Sequence, residues 1–489
     1  MITLIIRKIS LIGVVTLHMH TYNITDFGAV ADAGDCGPAI ASAIERAFSN
    51  GGGIVYVPPG RFFSGTVELK SNVTLYIAAG AELVCILNPD VLRGFSLPEA
   101  AELLPVKFFI GAAEAHNVTI CGGGVIYGQG ELTMIDDHSD GGFDESPLGF
   151  TEFRPKLSLF YGCDNLVIRD ITLREAASWT LHMAGCSHVR IDGIRILNND
   201  RGANNDGIDP DCCQDVKITN CHIETGDDAI VVKTTKSMAE RFGPCRDILI
   251  NNCTLHSRDS ALKIGTETHG DIENIMFSNC VVRDCSRIVG IWVRDGATIS
   301  NVKVSNVIGS ARRYASSTRY PMHWWGRGEP IFISAAPRNE HMPHPGKIRD
   351  IYIDNLIADC ESSLFISGEP GCEVEDVHMR NVTLRFKRQG TQPTGLFDEQ
   401  PSTRDFREHD IPAVYVNRAR NITARDISVT FVDGAAERWT GILGAEYSRD
   451  IEFSGVRGMV AKPGIPDAVF ESTENVTMTD WRIEGGVKK

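Results

Sequence analysis

A polar residue, usually asparagine or aspartate, stands before an aliphatic one along most of this chain, and alternation follows each step. Asn72-Val73-Thr74-Leu75, Asn117-Val118-Thr119-Ile120 and Asn165-Leu166-Val167-Ile168 set the pattern. It returns at His188-Val189, Asp215-Val216, Asp247-Ile248, Asn274-Ile275 and Asn301-Val302, and again at Asp350-Ile351, Asp376-Val377, Asn421-Ile422, Asp450-Ile451 and Asn475-Val476. Alternation with period two is the mark of a strand. From Leu166 through Val189, Val216, Ile248, Ile275 and Val302 the steps are 23, 27, 32, 27 and 27 residues. The gaps from Val73 to Val118 (45) and Val302 to Ile351 (49) are near twice that. Self-similarity at this period belongs to solenoids and propellers. One short strand per step predicts a β-solenoid, whose like positions stack about 4.8 Å apart. A β-sandwich would repeat every 8–12 residues or so without long-range register.

Each central step carries a second candidate strand: Trp179 to His182, Gly207 to Asp209, Ala229 to Val232, Ala261 to Ile264 and Gly290 to Val293. These predict a second ladder, with the residues before it on one face. Before the repeat, Ala39, Ile40, Ala43, Ile44 and Ala47 recur at helical spacing. That predicts a short N-terminal helix capping an end whose open edge would otherwise invite association. Three stretches break the period, about 126 to 157, 306 to 346 and 386 to 412. Long insertions in a repeat gather on one face and often build the binding site. Trp324 and Trp325, in the second, offer flat apolar faces to sugar rings, or a core for their own loop.

The length of 489 residues alone suggests two or three domains, but a solenoid grows by stacking. We therefore expect a leader or signal-like segment over 1–20 and one parallel β-helix catalytic domain over 21–489. Ile9 to Leu17 follows Arg7 and Lys8 like a short signal core, yet no small-residue cleavage site follows. Signal remnant and plain leader stay open, with a cytoplasmic location slightly ahead of an extracellular or periplasmic one. The run is too short to span a membrane. The net charge of −15 excludes nucleic acid as a general partner. It also means that an anionic sugar polymer needs local Arg or Lys in a cleft. Fourteen cysteines are present, several in repeated Asn-Cys steps at 221, 253 and 280. One fixed place per coil reads as buried thiols rather than a disulfide framework. No pair of CxxC motifs suggests a structural metal. Oligomeric state leaves no trace in the sequence.

The candidate chemistry is acidic. Asn204-Asn205-Asp206-Gly207-Ile208-Asp209 is followed one coil later by Gly226-Asp227-Asp228-Ala229-Ile230. Both acids precede the second ladder, so stacking would set Asp206 beside Asp227 and Asp228. A lone Asp in a glycine-rich turn is usually a turn residue. Three at matched positions form a cluster that must retain a proton. A protonated carboxyl beside ionised ones is the equipment for glycoside hydrolysis with inversion. Calcium binding is the rival chemistry for such oxygens.

At these residues the chain resembles glycoside hydrolase family 28, the polygalacturonases and their relatives. Phe27-Gly28-Ala29, Val57-Pro58-Pro59-Gly60, Arg154-Pro155 and Ser178-Trp179-Thr180-Leu181-His182 also resemble that family. The resemblance implies a right-handed parallel β-helix and inverting hydrolysis of α-glycosidic bonds in pectin-type, galacturonate-containing poly- or oligosaccharides, without metal or cofactor. By position, Asp227 is the implied general acid, Asp206 and Asp228 the carboxylates that activate water, and Asn204 a substrate contact. Two departures stand out. The family's Gly-His-Gly corresponds to Asp259-Ser260-Ala261, with His269 nearby as a substitute. The Arg-Ile-Lys that grips galacturonate corresponds to Trp292-Val293-Arg294, where Arg294 could replace the Lys but Trp292 cannot pair with a carboxylate. Lys263, Lys233, Arg258 and Arg287 are candidates to compensate. Exo action is expected, because insertions can close a groove into a pocket. A calcium-dependent polysaccharide lyase and a non-catalytic carbohydrate-binding solenoid are the alternatives.

Overall fold

The computed structural model describes residues 20–136, 146–314, 326–342, 344–390, 392–399, 401–404, 407–432 and 436–487. Two parallel sheets hold nearly all the strands. The 13-stranded sheet follows strict chain order, from Val67–Glu68 to Ala468–Glu471, with one strand from each coil. The 22-stranded sheet carries the repeated Asn/Asp steps. There Val189, Val216, Ile248, Ile275 and Val302 are direct neighbours, and the line continues through Ile351, Val377, Ile422, Ile451 and Val476. The fold is a right-handed parallel β-helix, the hand expected of parallel crossovers.

The long gaps prove to be single coils. Leu75 pairs directly with Ile120, and Val302 with Ile351. Loop length adds little to the entropy of closing a coil, so one coil can carry a long excursion. The third broken stretch holds an antiparallel pair, Leu396–Phe397 with Arg407–Glu408. The second is less irregular than expected, because it contains the ladder strand Glu329–Ala335.

The recurring polar residue has a backbone cause. Asn72, Asn117, Asn165, Asn274 and Asn301 have φ of 63, 56, 56, 60 and 55°, a left-handed conformation that Asn and Asp tolerate best. Their amides also bridge coils. Asn117 Nδ2 donates to Asn72 Oδ1 (2.8 Å), Asn165 to Asn117 (2.7 Å) and Asn274 to Asp247 (2.8 Å). A second stack runs through Asn279, Asn306, Asn355 and Asn381 with bonds of 2.7–2.9 Å. All fourteen cysteines are buried and free.

Helix Gly37–Ser49 buries Ala39, Ile40, Ala43, Ile44 and Ala47, the face read from the sequence. It packs on the first strands, Thr21–Asn23, Gly53–Val57, Val67–Glu68 and Val73–Ile77. Two helices were not foreseen, Pro98–Leu103 and Lys236–Phe242. Among the described residues no helix is long and apolar enough to cross a membrane. The signal-like run and the Trp324-Trp325 pair lie outside the described residues.

Candidate active site

The second ladder builds the site. Leu181, Ile208, Ile230, Leu262 and Val289 stand in register on successive coils. Asp206 lies two residues before Ile208 and Asp228 two before Ile230, so the two occupy equivalent places. Gly207 N–H donates to Asp228 C=O at 2.9 Å, and Ala229 N–H to Ser260 C=O at 2.9 Å. Gly226 lets the turn close, since a Cβ there would stand 2.4 Å from both the N and O of Gly202. Asn205 then ties one turn to the next. Its Oδ1 accepts from the N–H of Gly226 (2.9 Å) and Asp227 (3.1 Å), while Nδ2 donates to Asn199 C=O (2.7 Å). Sequence reasoning missed Asn205. The doubled asparagine before Asp206 is the only local signal of it.

Stacking brings one carboxylate oxygen from each of Asp206, Asp227 and Asp228 within 4.8 Å of the others, and all three residues are buried. Their partners differ. Asp206 Oδ2 is 3.6 Å from Lys233 Nζ, which also lies 2.9 Å from Asp209. Asp228 Oδ2 is 2.8 Å from Lys263 Nζ, which reaches Asp259 at 3.5 Å. Asp227 has no ion pair among the described residues. Its Oδ2 accepts from Asn204 N–H (3.0 Å) and its Oδ1 from Asp228 N–H (3.0 Å). Burial, then the Asp227 and Asp209 carboxylates, push Asp206 well above the ordinary carboxyl range. Burial pushes Asp228 well up too, against the pull of Lys263. Groups this close titrate together, so a retained proton belongs to the trio as a unit. Three such oxygens could also face a divalent cation, but the two ammonium groups already supply positive charge there.

The trio opens onto a cavity of about 230 Å³. Asn204, Lys263 and Trp292 stand in its wall, as does Lys233. Ser260 does not: it is in register with Asp228, but its hydroxyl donates to Asp259 Oδ1 (3.2 Å). His269 is exposed and outside the wall, 3.8 Å from Asp295. Arg294 is fully buried elsewhere, donating to the carbonyls of Val293, Ser334, Glu399 and Pro401. Arg258 pairs with Asp200, and Arg287 with Glu329 and the wall carboxylate Asp259, but neither arginine stands in the wall itself. Trp324 and Trp325 lie outside the described residues. Trp179, Glu267, Arg338 and Pro401, none of them a site residue by the sequence reading, complete the wall. All three insertions reach the site. Arg154 of the first donates to Asn204 Oδ1 (3.1 Å), while Arg338 of the second and Pro401 of the third line the cavity.

Comparison with known proteins finds likeness in sequence and in fold. Residues 98–315 match the model for glycosyl hydrolases family 28. A probable polygalacturonase of Vitis vinifera is 30% identical over 234 residues, 45% of each chain. The chain spans about half the length of the curated relatives it matches. In structure it resembles an exopolygalacturonase of Thermotoga maritima, with TM-score 0.54, 20% identity and 94% of this chain and 92% of that one covered. A family 28 exopolygalacturonase of Yersinia enterocolitica gives TM-score 0.60 at 19% identity, covering 96% and 80%. The region 98–315, which holds the aspartate trio and its strands, thus matches glycosyl hydrolases family 28, and over that part the chain is similar to polygalacturonases.

Proposed function

We propose that this chain is an exo-acting, inverting glycoside hydrolase of pectin-type, galacturonate-containing poly- and oligosaccharides, carried on a single solenoid domain over 21–489. The observation that carries the reading is the unequal partnering of the trio. Asp206 and Asp228 each have a lysine ammonium beside them, which pulls against the upward push of burial on their carboxyls, and among the described residues Asp227 has none. Asp227 therefore serves as general acid, protonating the glycosidic oxygen as the bond from C1 breaks. Asp206 and Asp228 hold a water and take its proton while its oxygen attacks C1 from the opposite face. The small cavity, walled in part by Arg338 and Pro401 from the insertions, supports release of single sugars.

Activity on pectic oligosaccharides tests this, with wild type and Asp227→Asn side by side. Wild type should release single sugars, and the variant should lose about 10²–10⁴-fold in kcat. A ladder of oligomers would contradict exo action. Equal rates would make the trio structural, and products absorbing in the ultraviolet would indicate a lyase. NMR of the first-formed anomer tests inversion, and a retained anomer would contradict it.

A further inference from the structure

Charge in the cavity wall is unevenly spent. The wall holds five carboxylates, Asp206, Asp227, Asp228, Asp259 and Glu267, and three cations, Lys233, Lys263 and Arg338. Each cation is already engaged. Lys233 and Lys263 are bound within the trio and its neighbours. Arg338 closes a two-pronged pair on Asp295, Nε to Oδ1 at 2.7 Å and Nη2 to Oδ2 at 2.8 Å. Arg154 stands just outside the wall, laid 3.6 Å over the Phe150 ring, and donates to Ala203 C=O and Asn204 Oδ1. A uronate carboxylate entering here would be a sixth acid, with no uncommitted cation among the described wall residues. Desolvating it beside like charges is unfavourable.

The wall offers a neutral donor instead. Trp292 is 1% exposed, and its indole Nε1 has no hydrogen-bond partner among the described residues. Its ring folds back over Gly290, where a Cβ would meet ring carbons at 2.1 Å. Phe332 backs it at 5.0 Å between centroids. Trp292 lines the cavity, and a ligand acceptor that reaches its buried N–H would satisfy it.

We propose that the sugar held at the cleavage site is a neutral glycosyl residue, with Trp292 Nε1–H donating to one of its hydroxyls. This rests on the hydrolase reading above and names the sugar within it; galacturonate is left to positions beyond the cavity.

The test is hydrolysis of 4-nitrophenyl α-glycosides of neutral hexoses, deoxyhexoses and pentoses, against 4-nitrophenyl α-galacturonide and galacturonate oligomers. At least one neutral glycoside should be turned over with kcat/KM about 100-fold or more above the galacturonide. Trp292→Phe keeps the ring, loses the N–H, and should lower kcat/KM on that glycoside about 10-fold or more. Unchanged kcat/KM in a folded Trp292→Phe protein would overturn the role of Trp292. Should that variant misfold, product inhibition of wild type serves: the neutral sugar should inhibit at lower concentration than galacturonic acid. Galacturonide cleaved as well as or better than every neutral glycoside overturns the inference and leaves the hydrolase reading standing. No turnover on any substrate, with Asp227→Asn indistinguishable from wild type, removes both.

Discussion

Lys263 Nζ lies 2.8 Å from Asp228 Oδ2, and that ammonium opposes the upward push of burial on the Asp228 carboxyl. Replacing it in Lys263→Met should let the Asp228 pKa rise further. A carboxylate that must be ionised to activate water loses activity as pH falls through its pKa. Raising that pKa therefore moves the acid limb of the kcat/KM profile to higher pH. A profile from about pH 4 to 8 checks this, and activity regained on the alkaline side separates titration from a damaged fold. The residues whose roles could be read from sequence lie within one motif and its neighbouring coil, where a single period sets who stands beside whom. Trp292 was visible as a departure, but not that its N–H would lack a partner, which depends on the space over Gly290. Arg294 looked like a substrate contact because it sits at the family's lysine position. The strand ends at Val293, and the next side chain turns into a network that holds Ser334, Glu399 and Pro401.

The turns carry the ladder as surely as the strands do. Asn279 has φ 55°, donates to Asn251 Oδ1 at 2.8 Å and accepts from Asn306 at 2.9 Å. Alanine keeps neither bond and tolerates the left-handed conformation poorly. Asn279→Ala should therefore destabilise the protein by about 1–3 kcal/mol. Asn279→Gly restores the backbone freedom without the bonds, so its loss should be the smaller of the two. Denaturant midpoints measured in parallel give the order, and equal losses would show that the amide stack, not the backbone, dominates. This double duty explains why the repeat was so legible: the Asn or Asp is required once per coil, whatever the strand beside it contains. The length of an excursion was not legible. A gap of 45 residues between two such steps is equally two short coils or one long one, and only the Leu75–Ile120 pairing decides it.

The molecule as a whole is anionic, and the substrate proposed for it is an anionic polymer whose cleaved residue is neutral. With a net charge of −15, the long-range field opposes approach of galacturonate-rich chains. Exposed charges are screened beyond a Debye length, about 30 Å at 0.01 M salt and about 8 Å at 0.15 M. Raising salt across that range should therefore increase kcat/KM on a galacturonate-containing polymer several-fold through faster encounter. The same change should leave a small neutral glycoside nearly untouched, because the pairs inside the buried cavity are screened little. Steady-state rates on the two substrates at matched pH make the comparison. A polymer rate that falls with salt would instead mean that a local basic track steers the chain against the net field. The geometry gives that track a test of its own: Arg154 and Arg338 both reach the site from insertions. Charge-removing variants of either would then weaken the salt dependence, whereas under repulsion by the whole field neither should change its slope appreciably.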